Sequence, residues 1–188
     1  SISLDLSELV DRIQIDARTP YPIPRDFKWK KLPLINDFVE CISDKTNGET
    51  DITKFLANEK YAFILKMRFS AESILDEKKC YWQSEKHKDP IKPDFFVVGT
   101  DGYANIVEFK LPNLKSKVVV GKSNRETFSA EINSHISQTR DYREYFDDPN
   151  NRKWVEKEFG FKIYKPKRFL IIGRRWDFDP YEWKQIEA

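Results

Sequence analysis

Residues 93–110 constrain the fold most, because two strand patterns here are combined with three charged side chains. Two runs rich in β-branched and aromatic residues flank the pair Asp101-Gly102. An Asp-Gly pair between such runs is a strong signal for a β-hairpin. Asp94, Glu108 and Lys110 stand at the open end of this predicted hairpin. Buried charges are costly unless they are paired or bound to a metal, so this pattern indicates a site.

The length of the turn decides whether these three side chains share one face of the hairpin. A two-residue loop would place Phe95 opposite Glu108 and would leave Asp94 on the other face. A three-residue loop, Thr100-Asp101-Gly102, ends on a glycine in the left-handed conformation that a type I turn with a G1 bulge requires. That loop pairs Asp94 with Glu108, and the alternation of side chains puts Lys110 beside Glu108. We predict the three-residue loop.

The composition excludes an overall basic chain. Its formal net charge is only +2 although 34% of its 188 residues are charged, so positive charge is local. The two cysteines fall in apolar patterns, which indicates core thiols in a reducing compartment. We find no signal-peptide pattern and no apolar stretch of membrane-spanning length, and we expect a cytoplasmic protein with no membrane partner. The chain begins at Ser1 without a methionine, so we expect that a further domain of a longer protein is absent.

Helical and extended patterns follow one another in the order helix, strand, strand, strand, helix, strand. Residues 51–67 have a helical pattern, residues 68–83 are strand-like, and residues 167–174 read as a buried strand. This order predicts an α/β fold with a mixed central sheet flanked by helices. Residues 1–50 are predicted to form an N-terminal arm or subdomain, which includes a short helix over residues 34–42. The functional domain then spans residues 51–188.

A long helix is predicted between the hairpin and the last strand. Ser123 and Glu126 have the spacing of a capping box, and the Asp-Asp-Pro sequence after Phe146 predicts the end of the helix. A helical wheel places Gln138 and Tyr142 on the margin of the buried stripe. The predicted buried stripe contains Phe128, Ile132, Ile136, Thr139 and Phe146.

The two carboxylates of the hairpin could hold a metal ion, with the lysine beside it. Two carboxylates at hydrogen-bonding distance repel each other, so we expect a cation between Asp94 and Glu108. Oxygen ligands without a Cys or His cluster favour Mg²⁺ or Mn²⁺. Such an ion with Lys110 beside it would suit phosphodiester hydrolysis, since Lys110 could orient or deprotonate a water. The alternative is an ordinary Glu-x-Lys on an exposed strand, with Asp94 capping a turn.

Pro93-Asp94 and Glu108-Phe109-Lys110 resemble the two halves of the motif of the PD-(D/E)xK nuclease superfamily. The predicted order of elements matches that superfamily's restriction-endonuclease-like αβββαβ core. More narrowly, residues 51–175 resemble the nuclease domain of the Shedu anti-phage defence proteins. This narrower resemblance is carried by Phe55, by Leu111-Pro112 after the catalytic strand, and by Gln138-x-x-x-Tyr142.

The resemblance implies a role for each motif residue. Asp94 and Glu108 would bind Mg²⁺, which Mn²⁺ would replace, the carbonyl of Phe109 would be a further ligand, and Lys110 would assist the water. Gln138 and Tyr142 would position a phosphate or the water. Some relatives add an acidic residue on or after the first helix, and the candidates for it are Glu59 and Glu72.

The resemblance also implies partners. A DNA endonuclease in anti-phage defence would act on DNA, and the family implies a homo-oligomer. The alternatives are a catalytically inactive nuclease-fold module that binds DNA, and an oligomerisation module. The basic residues nearest the motif in sequence are the first candidates for DNA contacts: Lys115, Lys117, Lys122, Arg174 and Arg175.

Overall fold

The structure is a computed structural model that describes residues 27–85, 87–110, 114, 117–121, 125–173 and 179–187. Six helices lie in these residues: α1 Phe27–Ser43, α2 Glu49–Ala57, α3 Phe63–Phe69, α4 Ala130–Asp147, α5 Pro149–Phe159 and α6 Pro180–Glu187. The strands are β1 Ser73–Asp76, β2 Phe95–Val98, β3 Ala104–Phe109, β4 Val119–Val120, β5 Thr127–Phe128 and β6 Arg168–Ile171.

The central sheet has four strands in the order β1-β2-β3-β6. β1 with β2 and β2 with β3 are antiparallel, whereas β6 lies parallel to β3. A parallel neighbour needs a long crossover, and α4 and α5 lie in the chain between β3 and β6. The predicted mixed α/β architecture with a mixed central sheet is therefore confirmed.

Each face of the sheet is covered by a separate helical layer. Phe96 and Ile106 point to one face and pack against α4 and α5. Phe95 and Val107 point to the other face and pack against α2 and α3. α1 joins this second layer through Phe38, Cys41 and Ile42. The predicted division of the chain between residues 50 and 51 stays a prediction.

The β2–β3 hairpin has the predicted three-residue loop. The amide of Gly99 donates to the carbonyl of Tyr103, and the amide of Gly102 donates to the carbonyl of Gly99. Gly102 has a φ of +76°, the left-handed conformation that side chains with a Cβ seldom adopt. Phe96 pairs with Ile106, which is the register that brings Asp94 and Glu108 opposite each other. The turn prediction is confirmed.

The predicted start of the long helix is wrong. α4 begins at Ala130, and its N-cap is Ser129, whose Oγ accepts a hydrogen bond from the amide of Ile132. Glu126 is not helical, and Phe128 lies in β5, where it pairs with Val119. This short two-stranded sheet and its apolar contacts prevail over the capping-box pattern. Ser123 itself lies outside the described residues.

Several other predicted boundaries of helices and strands differ from those in the structure. The helix predicted over residues 51–67 is two helices, because α2 ends at Ala57 and Asn58 has an extended conformation. The strand pattern of residues 68–83 forms the four residues of β1 and an isolated antiparallel bridge between Cys80 and Ile91. The chain enters α5 directly after α4, with Asp148 as its N-cap, and the sequence analysis did not predict that helix. β6 is half-buried because it is an edge strand among the described residues.

The predicted short helix over residues 34–42 is confirmed as part of the longer α1.

Of the two cysteines, Cys80 is buried and Cys41 half-buried, and both are free thiols. Among the helices of the described residues, none combines the length and the hydropathy needed to cross a membrane.

Candidate metal site

The hairpin register brings the three predicted charged residues together. Glu108 is 4% exposed near the end of β3, and Lys110, directly after that strand, is 8% exposed. The amide of Lys110 donates to the carbonyl of Ile171, which continues the pairing of β3 with β6 and fixes the backbone there. Asp94 precedes β2, and its amide donates to Glu108 Oε2 over 3.4 Å. The predicted convergence of Asp94, Glu108 and Lys110 is found in the structure.

Glu49 is a further acidic residue at this site. It is the first residue of α2, and its Oε1 accepts from Lys110 Nζ over 2.9 Å. One carboxylate oxygen from each of Glu49, Asp94 and Glu108 lies within 4.8 Å of the others. The two candidates from the sequence, Glu59 and Glu72, are exposed and do not belong to this group.

Glu49 is not among the predicted site residues, because nothing in the hairpin pattern points to it. One local signal was present in the sequence: Asp51 follows Gly48 by three residues, the spacing of N-cap and N3. In the structure Asp51 accepts from the amide of Gly48 over 2.8 Å, and the helix begins at Glu49. Glu49 also lies within residues 1–50, the predicted N-terminal arm or subdomain, and so outside the predicted functional domain.

The three carboxylates fit a hard divalent cation. Oxygens that bind one such ion at about 2.1–2.4 Å lie no more than about 4.8 Å apart, so the observed spacing is short enough. Three carboxylates with the single ammonium of Lys110 leave excess negative charge in a partly buried place. The donor set contains oxygen only, which favours Mg²⁺ or Mn²⁺ over zinc.

Burial and neighbouring charges shift the pKa values of Asp94 and Lys110. Burial and the neighbouring charge of Glu108 raise the pKa of Asp94 to about 6, against the hydrogen bond that its Oδ2 accepts from the amide of Phe109. Burial alone would lower the pKa of Lys110. Its contacts with Glu49 and Glu108 outweigh burial and raise that pKa, so Lys110 is an ammonium here. In this arrangement Lys110 is a cation and donor instead of a base.

Tyr142 contacts Glu108 directly. Its predicted position on the margin of the buried stripe did not identify this contact. Its side chain is buried, and its hydroxyl donates to Glu108 Oε2 over 3.0 Å. Burial and the charge of Glu108 raise the pKa of Tyr142, which keeps the hydroxyl protonated. Gln138, one helical turn earlier, is exposed. The roles of Gln138 and Tyr142 toward a phosphate or a water stay predictions.

The candidate DNA-binding lysines and arginines are only partly described. Lys117 is exposed, just before β4. Lys115, Lys122, Arg174 and Arg175 lie outside the described residues.

A comparison with known protein families finds a match over most of the chain. The family model described as Shedu protein SduA, C-terminal, matches residues 46–186, which is more than half of the chain and includes all four charged residues of the site. No curated protein and no solved structure matches the chain significantly.

Proposed function

Because the chain belongs to the family of Shedu protein SduA C-terminal domains, we propose that it is a metal-dependent DNA endonuclease of bacterial anti-phage defence. The family itself suggests the defence role. The nuclease activity is our inference from the site. The order of α2, β1, β2, β3, α4 and β6 supports a restriction-endonuclease-like αβββαβ core for this domain.

One observation carries the proposal. Three carboxylates from separate parts of the chain meet within 4.8 Å at the end of an apolar hairpin, and the ammonium of Lys110 lies among them. A surface ion pair would not need a third carboxylate or this degree of burial. Phosphodiester hydrolysis needs both parts, because the reaction depends on charge neutralisation and on the positioning of water.

Glu49, Asp94 and Glu108 would hold Mg²⁺, or Mn²⁺ in its place. The bound ion would supply a Lewis acid for the phosphate and lower the pKa of a water. Lys110 would donate to a phosphate oxygen or to the attacking water, since it carries an ammonium. Tyr142 would keep the Glu108 carboxylate in place through its hydroxyl. Gln138, exposed on α4, remains the candidate for contact with a DNA phosphate.

Nicking of supercoiled plasmid DNA tests the activity. We expect conversion to open circles with Mg²⁺ or Mn²⁺, none with EDTA, and loss of nicking in Glu49→Gln, Glu108→Gln and Lys110→Ala. Lys88→Ala is the matched control, since Lys88 also bridges two carboxylates but at the surface. If the wild type and all four variants nick alike, the activity belongs to a contaminant and the proposal is wrong.

Two further measurements separate the alternatives. Calorimetric titration with Mn²⁺ distinguishes a metal site from a structural ion pair, which has no use for a divalent ion. A protein that binds Mn²⁺ and DNA but cuts neither DNA nor RNA would be an inactive binding module. Partners are part of the proposal: DNA is the substrate, and a homo-oligomer is the expected assembly, which sedimentation would measure.

A further inference from the structure

The ammonium of Lys110 bridges two of the three carboxylates of the candidate metal site. Its Nζ lies 2.9 Å from Glu49 Oε1 and 3.2 Å from Glu108 Oε1. The other oxygen of Glu108, Oε2, accepts from the hydroxyl of Tyr142 and from the amide of Asp94. Within the described part of the chain, the two oxygens that Lys110 contacts have no other hydrogen-bond donor.

We propose that Lys110 is the counter-ion of the metal-free site and competes with the divalent cation for Glu49 and Glu108. This inference rests on the proposed metal site. An ammonium and a divalent ion on the same two oxygens would repel each other in a place where water screens charge poorly. Metal binding therefore moves the ammonium away from at least one of the two carboxylates. The freed N–H groups then become available to a phosphate oxygen.

The competition predicts opposite effects on two properties when Lys110 is made neutral. The metal-free protein becomes less stable, because three carboxylates remain close together without a cation. The affinity for the metal rises, because the ion no longer displaces an ammonium. A lysine that acted only on the water or the phosphate would leave the affinity for the metal unchanged when DNA is absent.

Calorimetric titration of Mn²⁺ into the full chain without DNA tests this. We expect Lys110→Met to bind Mn²⁺ tighter than the wild type by about tenfold or more, since one opposing charge is removed at close range. Lys110→Arg keeps the charge and should not gain affinity. Lys88→Met is the matched control: it removes a lysine that lies 3.0 Å from Glu85 and 2.8 Å from Glu144 on the surface. Its affinity for Mn²⁺ should equal that of the wild type.

Thermal unfolding supplies the second readout. Without metal, Lys110→Met should melt below the wild type, and saturating Mn²⁺ should raise its Tm by more than it raises that of the wild type. Lys110→Gln, which keeps hydrogen-bond donors, serves if the methionine variant does not fold.

The outcomes separate this inference from the proposed function. If the wild type binds Mn²⁺ and neither neutral variant binds it tighter, Lys110 does not compete and this inference is wrong, while the metal site stands. If neither the wild type nor the neutral variants bind Mn²⁺ or Mg²⁺, both the metal site and the competition are overturned.

Discussion

Both oxygens of the Glu108 carboxylate are engaged inside the protein. Oε2 accepts from the hydroxyl of Tyr142 and from the amide of Asp94, and Oε1 accepts from Lys110. Donors on Oε2 that stay in place hold the carboxylate plane, so Oε1 keeps its direction toward Lys110. Ligands of a metal are commonly oriented by such partners. Tyr142 is thus a positioning residue that acts through Glu108.

Tyr142→Phe tests this role, because it removes only the hydroxyl. We expect the affinity for Mn²⁺ and the nicking rate to fall about tenfold, the low end of the losses seen when such partners are removed. Stability should fall by about 1 kcal/mol, as for one hydrogen bond. Tyr145→Phe is the control: its hydroxyl donates to the carbonyl of Tyr81 over 3.0 Å and to none of Glu49, Asp94 and Glu108. Equal losses of activity in both variants would contradict the positioning role.

The pH dependence of the metal-free protein follows from Asp94. Its pKa is raised from 3.8 to about 6 on folding, so the folded state binds the proton more tightly than the unfolded state. The contribution of Asp94 to stability is therefore fully present below pH 4 and is lost as the pH rises through 6. A divalent ion needs the ionised carboxylate, so the rise in Tm produced by Mn²⁺ should grow between pH 5 and pH 8.

Thermal melts with Mn²⁺ and with EDTA across this pH range measure the effect. In Asp94→Asn the rise in Tm should be small at every pH. A rise that is equal at pH 5 and pH 8 in the wild type would show that Asp94 is not a ligand.

The hairpin loop sets the register on which the site depends. Gly102 has a φ of +76°, and a Cβ added there would meet nothing within 4 Å. A substitution at Gly102 therefore costs only backbone strain. We expect Gly102→Ala to lower the unfolding free energy by about 1 kcal/mol and Gly102→Asn by less, because asparagine tolerates the left-handed conformation better.

Chemical denaturation measures both losses, and both variants should keep the nicking activity of the wild type. Loss of activity without unfolding would show that glycine is needed for more than the turn. Gly121 is the contrasting position: its φ is +120°, and a Cβ there would lie 2.3 Å from the carbonyl oxygen of Arg125. Gly121→Ala should destabilise more than Gly102→Ala.

The sequence predicted those elements whose signals are local. The turn length, the register of Asp94 with Glu108 and the end of α4 before Pro149 all follow from turn and cap chemistry within a few residues. The start of α4 could not be found in this way, because two caps compete and the pairing of Phe128 with Val119 selects Ser129. That pairing is a contact between separate segments, which the spacing of residues does not reveal.

At the scale of the whole molecule, the site joins both layers that cover the sheet. Glu49 comes from α2 in one layer, Tyr142 comes from α4 in the other, and the hairpin lies between them. The sequence indicated the part of the site that one hairpin carries. It did not reveal Glu49 or the contact of Tyr142 with Glu108, because both depend on how the helical layers pack on the sheet.

This arrangement makes α1 important for the site even though it contributes none of its ligands. α1 supports α2 through the ring contact of Phe38 with Phe55, at 5.9 Å between centroids, and Asp37 accepts from the hydroxyl of Tyr61 over 2.8 Å. A chain that begins at residue 46, where the family match begins, should therefore melt at a lower temperature and bind Mn²⁺ more weakly. The hairpin ligands remain in it, but Glu49 loses its support. A chain that begins at residue 27 keeps α1 and should exceed the chain from residue 46 both in melting temperature and in affinity for Mn²⁺. If the chain from residue 46 equals it in both properties, then α1 is an appendage and α2 holds Glu49 without its help.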